Sequence, residues 1–188
     1  MMRLSNYFFS IFQFREILRT IFSPNEICEG VEDINMDDLY HKGYKTVILD
    51  VDNTLVTYNN RSLSLQKINW IERLKAQGFV VFLVSNNSSK KRIERIAIES
   101  QLKGMYFALK PFVYGLKEFS DQYFIELDKT IFIGDQLFTD VLFGNWSKGY
   151  TILVEPLEKR LSLIKTLQRE VELFILRKLG IYFETTHV

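Results

Sequence analysis

The stretch KTVILDVDNTLV, Lys45 to Val56, decides how the chain is read. Val47, Ile48 and Leu49 form an unbroken apolar run, the pattern of a strand buried on both faces. That run ends in two carboxylates, Asp50 and Asp52, followed by a turn-forming Asn53-Thr54. Alternate residues of an extended chain point the same way, so both acids project together from the strand end. Asp and Asn also close turns through their own side chains, and this stretch alone does not separate a turn from a site.

Working outward, further short apolar runs follow: FVVFLVS from Phe79, MYFAL from Met105, KTIFIGD from Lys129 and YTILVEP from Tyr150. Helical text lies between them: LQKINWIERLKAQG, SKKRIERIAIESQLKG, FVYGLKEFSDQYF and LFTDVLFGNWSKG. Three of these segments end on Gly78, Gly104 and Gly149, as helix C-termini often do. Continuous apolar strands alternating with helices predict an α/β fold, a central parallel sheet covered on both faces. Such a sheet carries its site at the carboxyl ends of its strands.

Composition narrows the partners. A net charge of +1 argues against a nucleic-acid binder, whose basic footprint should be plain. The single cysteine, Cys28, excludes a disulfide framework, and His41 and His187 stand far apart, outside any ligand pattern. No segment is apolar and long enough to span a bilayer. No signal-peptide cleavage pattern is seen, so the expected location is the cytoplasm, at most peripheral on the inner face of its membrane.

The polar residues at the strand ends belong together. They are Asp50 and Asp52, then Ser85-Asn86-Asn87, then Lys110-Pro111, then Gly134-Asp135-Gln136 with Asp140 beyond. Carboxylates and carbonyls suit Mg²⁺, a lysine and a hydroxyl beside a helix N-terminus suit a phosphoryl group, and aspartate is a covalent phosphoryl acceptor. A two-component receiver uses similar parts, but there the acidic pair precedes the acceptor, whereas here Asp135 and Asp140 come last.

This constellation resembles the haloacid dehalogenase (HAD) superfamily of phosphatases. DVDNTLV matches its first motif, Ser85 in LVSNN the second, Lys110 in LKP the third and GDQLFTD the fourth. A narrower likeness is to subclass IIIA, the YqeG-type branch that includes phosphatidylglycerophosphate phosphatases. It extends along GDQLFTDVLFGNWSKGYTILVEP, with Trp146 where a basic residue is expected after Gly-Asn. The resemblance implies a HAD-like Rossmannoid three-layer sandwich and a Mg²⁺-dependent phosphomonoester hydrolase. It makes Asp50 the nucleophile that becomes an aspartyl-phosphate, and Asp52 the general acid and then base. Mg²⁺ falls to Asp50, the backbone carbonyl of Asp52, and Asp135, with Asp140 as an outer or alternate ligand. Ser85, Asn86 and Lys110 would hold the substrate phosphate.

Spacing speaks to substrate size. Asp50 and Ser85 are 35 residues apart and Ser85 and Lys110 are 25 apart, which leaves no room for a large cap domain. Only TYNNRSLS, residues 57–64, can form a small flap, turning at Asn59-Asn60. An open site suits a large substrate, such as a lipid headgroup at a surface or a macromolecule. The expected organisation is an N-terminal helical segment over residues 1–44, a catalytic core over 45–157 and a C-terminal helix and tail over 158–188. Leu4, Tyr7, Ile11, Phe14, Leu18 and Ile21 form one apolar stripe margined by Arg3, Arg15 and Arg19, as an interfacial helix on an anionic membrane would. Docking of that helix on the core is the other reading. The basic run SSKKRIER, Ser88–Arg95, lies near the site and reads as a solvated helix face or a second membrane contact. Two other functions stay open: a soluble phosphatase for a sugar phosphate, nucleotide or phosphoprotein, and a non-catalytic interaction module on the same fold.

Overall fold

The computed structural model describes residue 13, residues 16–158 and residues 163–183. Of the apolar stripe, Leu4, Tyr7, Ile11 and Phe14 lie outside the described residues, as do Arg3 and Arg15. Among the described residues, six strands form one parallel sheet: β1 (Glu26–Cys28), β2 (Thr46–Leu49), β3 (Val80–Val84), β4 (Lys103–Met105), β5 (Thr130–Gly134) and β6 (Tyr150–Val154). Their order is β1-β6-β5-β2-β3-β4. The helices are α1 (residues 16–22), α2 (Met36–His41), α3 (Leu65–Ala76), α4 (Lys90–Ser100), α5 (Tyr114–Tyr123), α6 (Leu142–Trp146) and α7 (Leu163–Leu179).

Alternation along the buried strands sorts the core into layers. Val47 and Leu49 of β2, Val81 and Leu83 of β3 and Ile131 and Ile133 of β5 pack with Trp70, Ile71, Ile93 and Ile96 of α3 and α4. Ile48, Phe82, Val84 and Phe132 face the opposite way, onto Leu116 and Phe119 of α5 and Phe143 of α6. Leu153 of β6 meets Leu176 of α7, with Phe22 at the end of α1 packed against the same cluster. This is the expected three-layer α/β sandwich, and no cap domain interrupts it between β2 and β5.

Two local expectations change. The helical text through Gly104 stops at Ser100, where Gln101 takes a left-handed φ of +54°; β4 then begins at Lys103. Only Met105 of the apolar run Met105–Leu109 belongs to the strand: Phe107 and Leu109 hold positive φ, which cannot continue a ladder. Strand β1 carries no pattern long enough to be read, because three residues cannot display a period. Tertiary pairing makes it. Asn25 Oδ1 accepts from Thr151 N at 2.8 Å, and Asn25 N donates to Thr151 O at 2.8 Å.

Candidate active site

The chain leaves β2, crosses to β3 and β4, and returns to β5 on the other side of β2. The strand order therefore reverses beside β2, and a crevice opens at its carboxyl end in folds of this kind. Asp50, Asp52, Ser85, Lys110 and Asp135 all arrive there. A basin of about 310 Å³ is lined by Asp50, Asp52, Tyr58, Ser85, Lys110 and Lys165 among others.

Carboxylate oxygens of Asp50, Asp135 and Asp140 lie within 4.8 Å of one another, and all three residues are buried. Lys110 enters between two of them. Its Nζ donates to Asp50 Oδ1 at 2.6 Å and to Asp140 Oδ1 at 2.5 Å. The other oxygen of Asp50, Oδ2, is buried with no hydrogen-bond donor among the described residues. Buried polar atoms are rarely left this way. A crowded set of oxygens with one unsatisfied is the donor set of a hard divalent cation, so these residues fit a metal.

Local structure explains how each side chain gets there. After Asp52 the chain doubles back, with Asn53 N donating to Val56 O at 2.6 Å. Asn53 holds a φ of +70°, a conformation that asparagine tolerates better than most residues. Its side chain then stitches the turn to the far strands: Nδ2 reaches Asp135 Oδ2 at 3.3 Å, and Oδ1 accepts from Glu158 N at 2.7 Å. Thr54 Oγ1 donates to the second oxygen, Asp135 Oδ1, at 3.3 Å. At the end of β5 a π-helical turn, Leu137–Val141, swings Asp140 back toward the strand. A Cβ on Gly134 would stand 2.2 Å from Asp140 Cγ, so the glycine before Asp135 is required by close approach.

Asp52 is placed differently from the other acids. Its Oδ2 accepts from Asn87 Nδ2 at 2.7 Å and its Oδ1 from Arg92 Nε at 2.8 Å. Its carboxylate is thus occupied away from the acidic cluster of Asp50, Asp135 and Asp140. Arg92 also donates to Thr57 O at 2.9 Å and Asn60 O at 2.5 Å, so one guanidinium ties the flap to Asp52. The expected turn is present, closed by Asn60 N donating to Thr57 O at 3.2 Å.

Ser85 is 1% exposed, and its Oγ accepts from Asn87 N at 3.1 Å. It does not cap α4, whose N-cap is Ser89. The Asn86 side chain is committed to the backbone of Lys110, donating to Lys110 O at 2.9 Å and accepting from Lys110 N at 2.6 Å. It holds the lysine in place, and only its backbone stays free for a phosphate.

Sequence reading named Asn53 and Thr54 only as a turn, Asn87 only as a strand-end residue and Arg92 only within a basic run, and it missed their partners and α7 as a wall of the basin. Glu172 of α7 is buried and accepts from Phe138 N at 3.2 Å. Arg169 donates to Asp135 O at 3.2 Å. The Lys165 ammonium lies 3.3 Å from the ring centroid of Tyr58. The periodicity of α7 marks it as a helix, but nothing in that pattern says which end of the sheet it covers.

The electrostatics follow from burial. Asp50 is pushed up to about 7, first by burial, then by Asp140 and Asp52, against the opposing pull of Lys110. Asp135 is also held well above the usual carboxylate range, by burial and by Asp50 and Asp140. Burial alone would favour a neutral Lys110, yet Asp140 and Asp50 outweigh it and hold the ammonium above the ordinary lysine range. An unfolded aspartate titrates near ~4, so the folded Asp50 binds its proton more tightly than the unfolded one. Its contribution to stability is complete below the unfolded value and is lost as pH rises through about 7. Metal-free protein should therefore melt at a higher temperature near pH ~5.5 than near pH ~8. Thermal unfolding in chelator across that window checks this, and a midpoint that climbs with pH would refute it.

Residues 17–157 match the family model described as mitochondrial PGP phosphatase. The protein named probable phosphatase YqeG, from Bacillus subtilis (strain 168), is 32% identical over 163 residues, which covers 87% of this chain and 94% of its own. Phosphatidylglycerophosphate phosphatase 1, chloroplastic/mitochondrial, of Arabidopsis thaliana is 25% identical over 144 residues, 72% of this chain and 41% of the plant protein's length. Among solved structures, an uncharacterized protein from Listeria monocytogenes serotype 4b superposes with a TM-score of 0.50 at 17% identity, over 71% of this chain and 99% of that one. The last likeness concerns the fold alone.

Proposed function

Since the chain belongs to the family described as mitochondrial PGP phosphatase and is a phosphatase of the HAD superfamily, we propose that it hydrolyses phosphatidylglycerophosphate through a phosphorylated Asp50. The observation that carries this reading is the asymmetry of Asp50. One oxygen accepts from Lys110, and the other is buried with no donor among the described residues, which supports Asp50 as the residue that attacks. In-line attack by that oxygen on phosphorus forms the Asp50–phosphate bond and breaks the bond to the leaving alkoxide, which takes a proton from Asp52. Asp52 then removes a proton from water as the water attacks the aspartyl-phosphate, releasing phosphate and restoring Asp50. Asn87 and Arg92 hold the Asp52 carboxyl group in position for both transfers.

Ser85 Oγ, the Asn86 backbone N–H and the Lys110 ammonium are the donors for the equatorial oxygens, where charge is redistributed in the transition state. Asp50, the carbonyl of Asp52, and Asp135 would hold Mg²⁺, with Asp140 beside them. When bound, Mg²⁺ offsets the repulsion between carboxylate and phosphate and orients both. A core with no cap domain inserted between β2 and β5 supports a bulky substrate over a small metabolite. The membership of a family described by this activity supports the lipid phosphate among bulky ones.

The test is phosphate release from phosphatidylglycerophosphate, glycerol 3-phosphate, a sugar phosphate, a nucleotide and a phosphopeptide, each with Mg²⁺ and with chelator. The lipid should be preferred by kcat/KM by at least about tenfold, a difference of ~1.4 kcal/mol in barrier, and chelator should stop all turnover. Preference for a soluble monoester would replace the substrate, and chelator-resistant turnover would remove the metal.

A further inference from the structure

The loop that delivers Lys110 carries a second feature that the chemistry does not use. Between β4 and α5 the chain exposes Tyr106, Phe107, Leu109, Phe112 and Tyr114, with Phe112 68% and Tyr114 77% exposed. Single apolar residues on a surface are ordinary, but a contiguous group of large ones marks an interaction site. Backbone geometry aims them outward. Phe107 and Leu109 hold φ of +51° and +55°, a conformation that bulky residues rarely keep without a functional reason. The residues between them turn inward: Ala108 packs in the core, and Lys110 reaches Asp50 and Asp140. Phe107 N donates to Asn87 O at 3.0 Å and Ala108 N to Ser85 O at 2.9 Å. The apolar side chains thus line a groove of their own, on the outer side of the loop whose Lys110 lines the basin.

Cations open the neighbouring helix: Lys90 and Lys91, both exposed, form the first residues of α4, while Glu118 is the acid that lines the groove itself. Lys90 Nζ stands 5.9 Å from the Tyr106 ring centroid, so the start of α4 and the aromatic loop form one surface. The Lys90–Glu94 pair, at 3.5 Å with both side chains more than half exposed, holds the ammonium only weakly.

We propose that the Tyr106–Tyr114 loop, with Lys90 and Lys91, docks the protein on an anionic lipid bilayer and sets the mouth of the basin against the headgroups. Aromatic rings with polar edges settle at the membrane–water interface, and lysines extend along it toward anionic headgroups. A second copy of the chain is the poorer occupant, because a two-fold contact through this patch would bring Lys90 and Lys91 toward their own copies. The proposal rests on the lipid reading of the basin for its purpose, but docking is measured without substrate.

The experiment is sedimentation of the full chain with phosphatidylcholine vesicles and with phosphatidylcholine–phosphatidylglycerol vesicles. Wild type should favour the anionic vesicles and be released by salt. Phe112→Ser/Tyr114→Ser and Lys90→Glu/Lys91→Glu should each weaken that partition by at least about tenfold. Both should hydrolyse p-nitrophenyl phosphate at the wild-type rate, which reports an intact basin. Wild type that ignores anionic vesicles, or variants that bind as well as wild type, overturns the proposal. So does a self-association that Phe112→Ser/Tyr114→Ser abolishes while vesicle binding persists, because a second copy then covers the patch. Vesicle binding without hydrolysis of phosphatidylglycerophosphate upholds the surface and removes the substrate. Hydrolysis of that lipid without vesicle binding does the reverse.

Discussion

Replacing Asp50 with asparagine should abolish turnover and leave the fold intact. Asparagine has the same shape, and its carbonyl oxygen can still accept from Lys110, so the basin keeps its outline. What it loses is the oxygen that now sits buried with no donor among the described residues, replaced by an amide nitrogen that is neither a nucleophile for phosphorus nor a metal ligand. The expected fall in kcat is at least about 1,000-fold, ~4 kcal/mol of barrier. Stability should respond far less. Removing one charge weakens an ion pair with Lys110 but relieves repulsion from Asp135 and Asp140 in the same cluster. Metal-free unfolding midpoints of the variant and wild type should agree within about 3 °C, on the order of 1 kcal/mol for a chain of this size. Phosphate release and thermal unfolding on the same preparations read both quantities. Wild-type turnover in Asp50→Asn would move the nucleophile to another residue.

The acids and the serine at the strand ends were legible because a buried parallel strand leaves its immediate successors little freedom. Once the period of β2, β3 and β5 is read, the residues just beyond each must share one edge of the sheet. The partners of those residues were not legible, because they depend on which side chain of a polar run turns inward. In SSKKRIER every basic residue looks alike by charge, yet Lys90, Lys91 and Arg95 are exposed while Arg92 is bonded to Asp52, Thr57 and Asn60. A signal was present: Arg92 is adjacent to Ile93, the first buried residue of α4, and so stands at the margin of its inward face. The run Met105–Leu109 misled for a different reason. Reading apolar residues as a strand assumes they are buried, and here Tyr106, Phe107 and Leu109 face outward. The mismatch between apolar content and exposure is itself what singles that loop out as a docking surface.

Replacing Lys110 with methionine should cost activity and stability together, and divalent metal should restore only the second. Methionine keeps most of the aliphatic stem, and Asn86 still grips the backbone at position 110, so the loop has no reason to move. The ammonium is the cation that bridges Asp50 and Asp140. Without it, a buried ion pair is broken from one side, a change that costs ~3–5 kcal/mol when the remaining charge is uncompensated. At pH ~8 in chelator the midpoint should fall by roughly 10 °C. The loss should shrink toward pH ~5.5, because Asp50, held up at about 7, and Asp135, also raised, then take up protons and shed the uncompensated charge. A ligand that binds only the folded state stabilises in proportion to the logarithm of its concentration over Kd. Mg²⁺ would supply the positive charge that the lysine no longer provides, so it should raise the midpoint of the variant by more than that of the wild type. Turnover should stay low by about 100-fold or more even at saturating Mg²⁺, because the donor to the equatorial oxygens is missing from the transition state. Differential unfolding with and without Mg²⁺, beside initial rates, separates the two effects. A Lys110→Met protein as stable as wild type at pH ~8 without metal would mean that the carboxylates are already neutral there, and the metal reading of the cluster would fall with it.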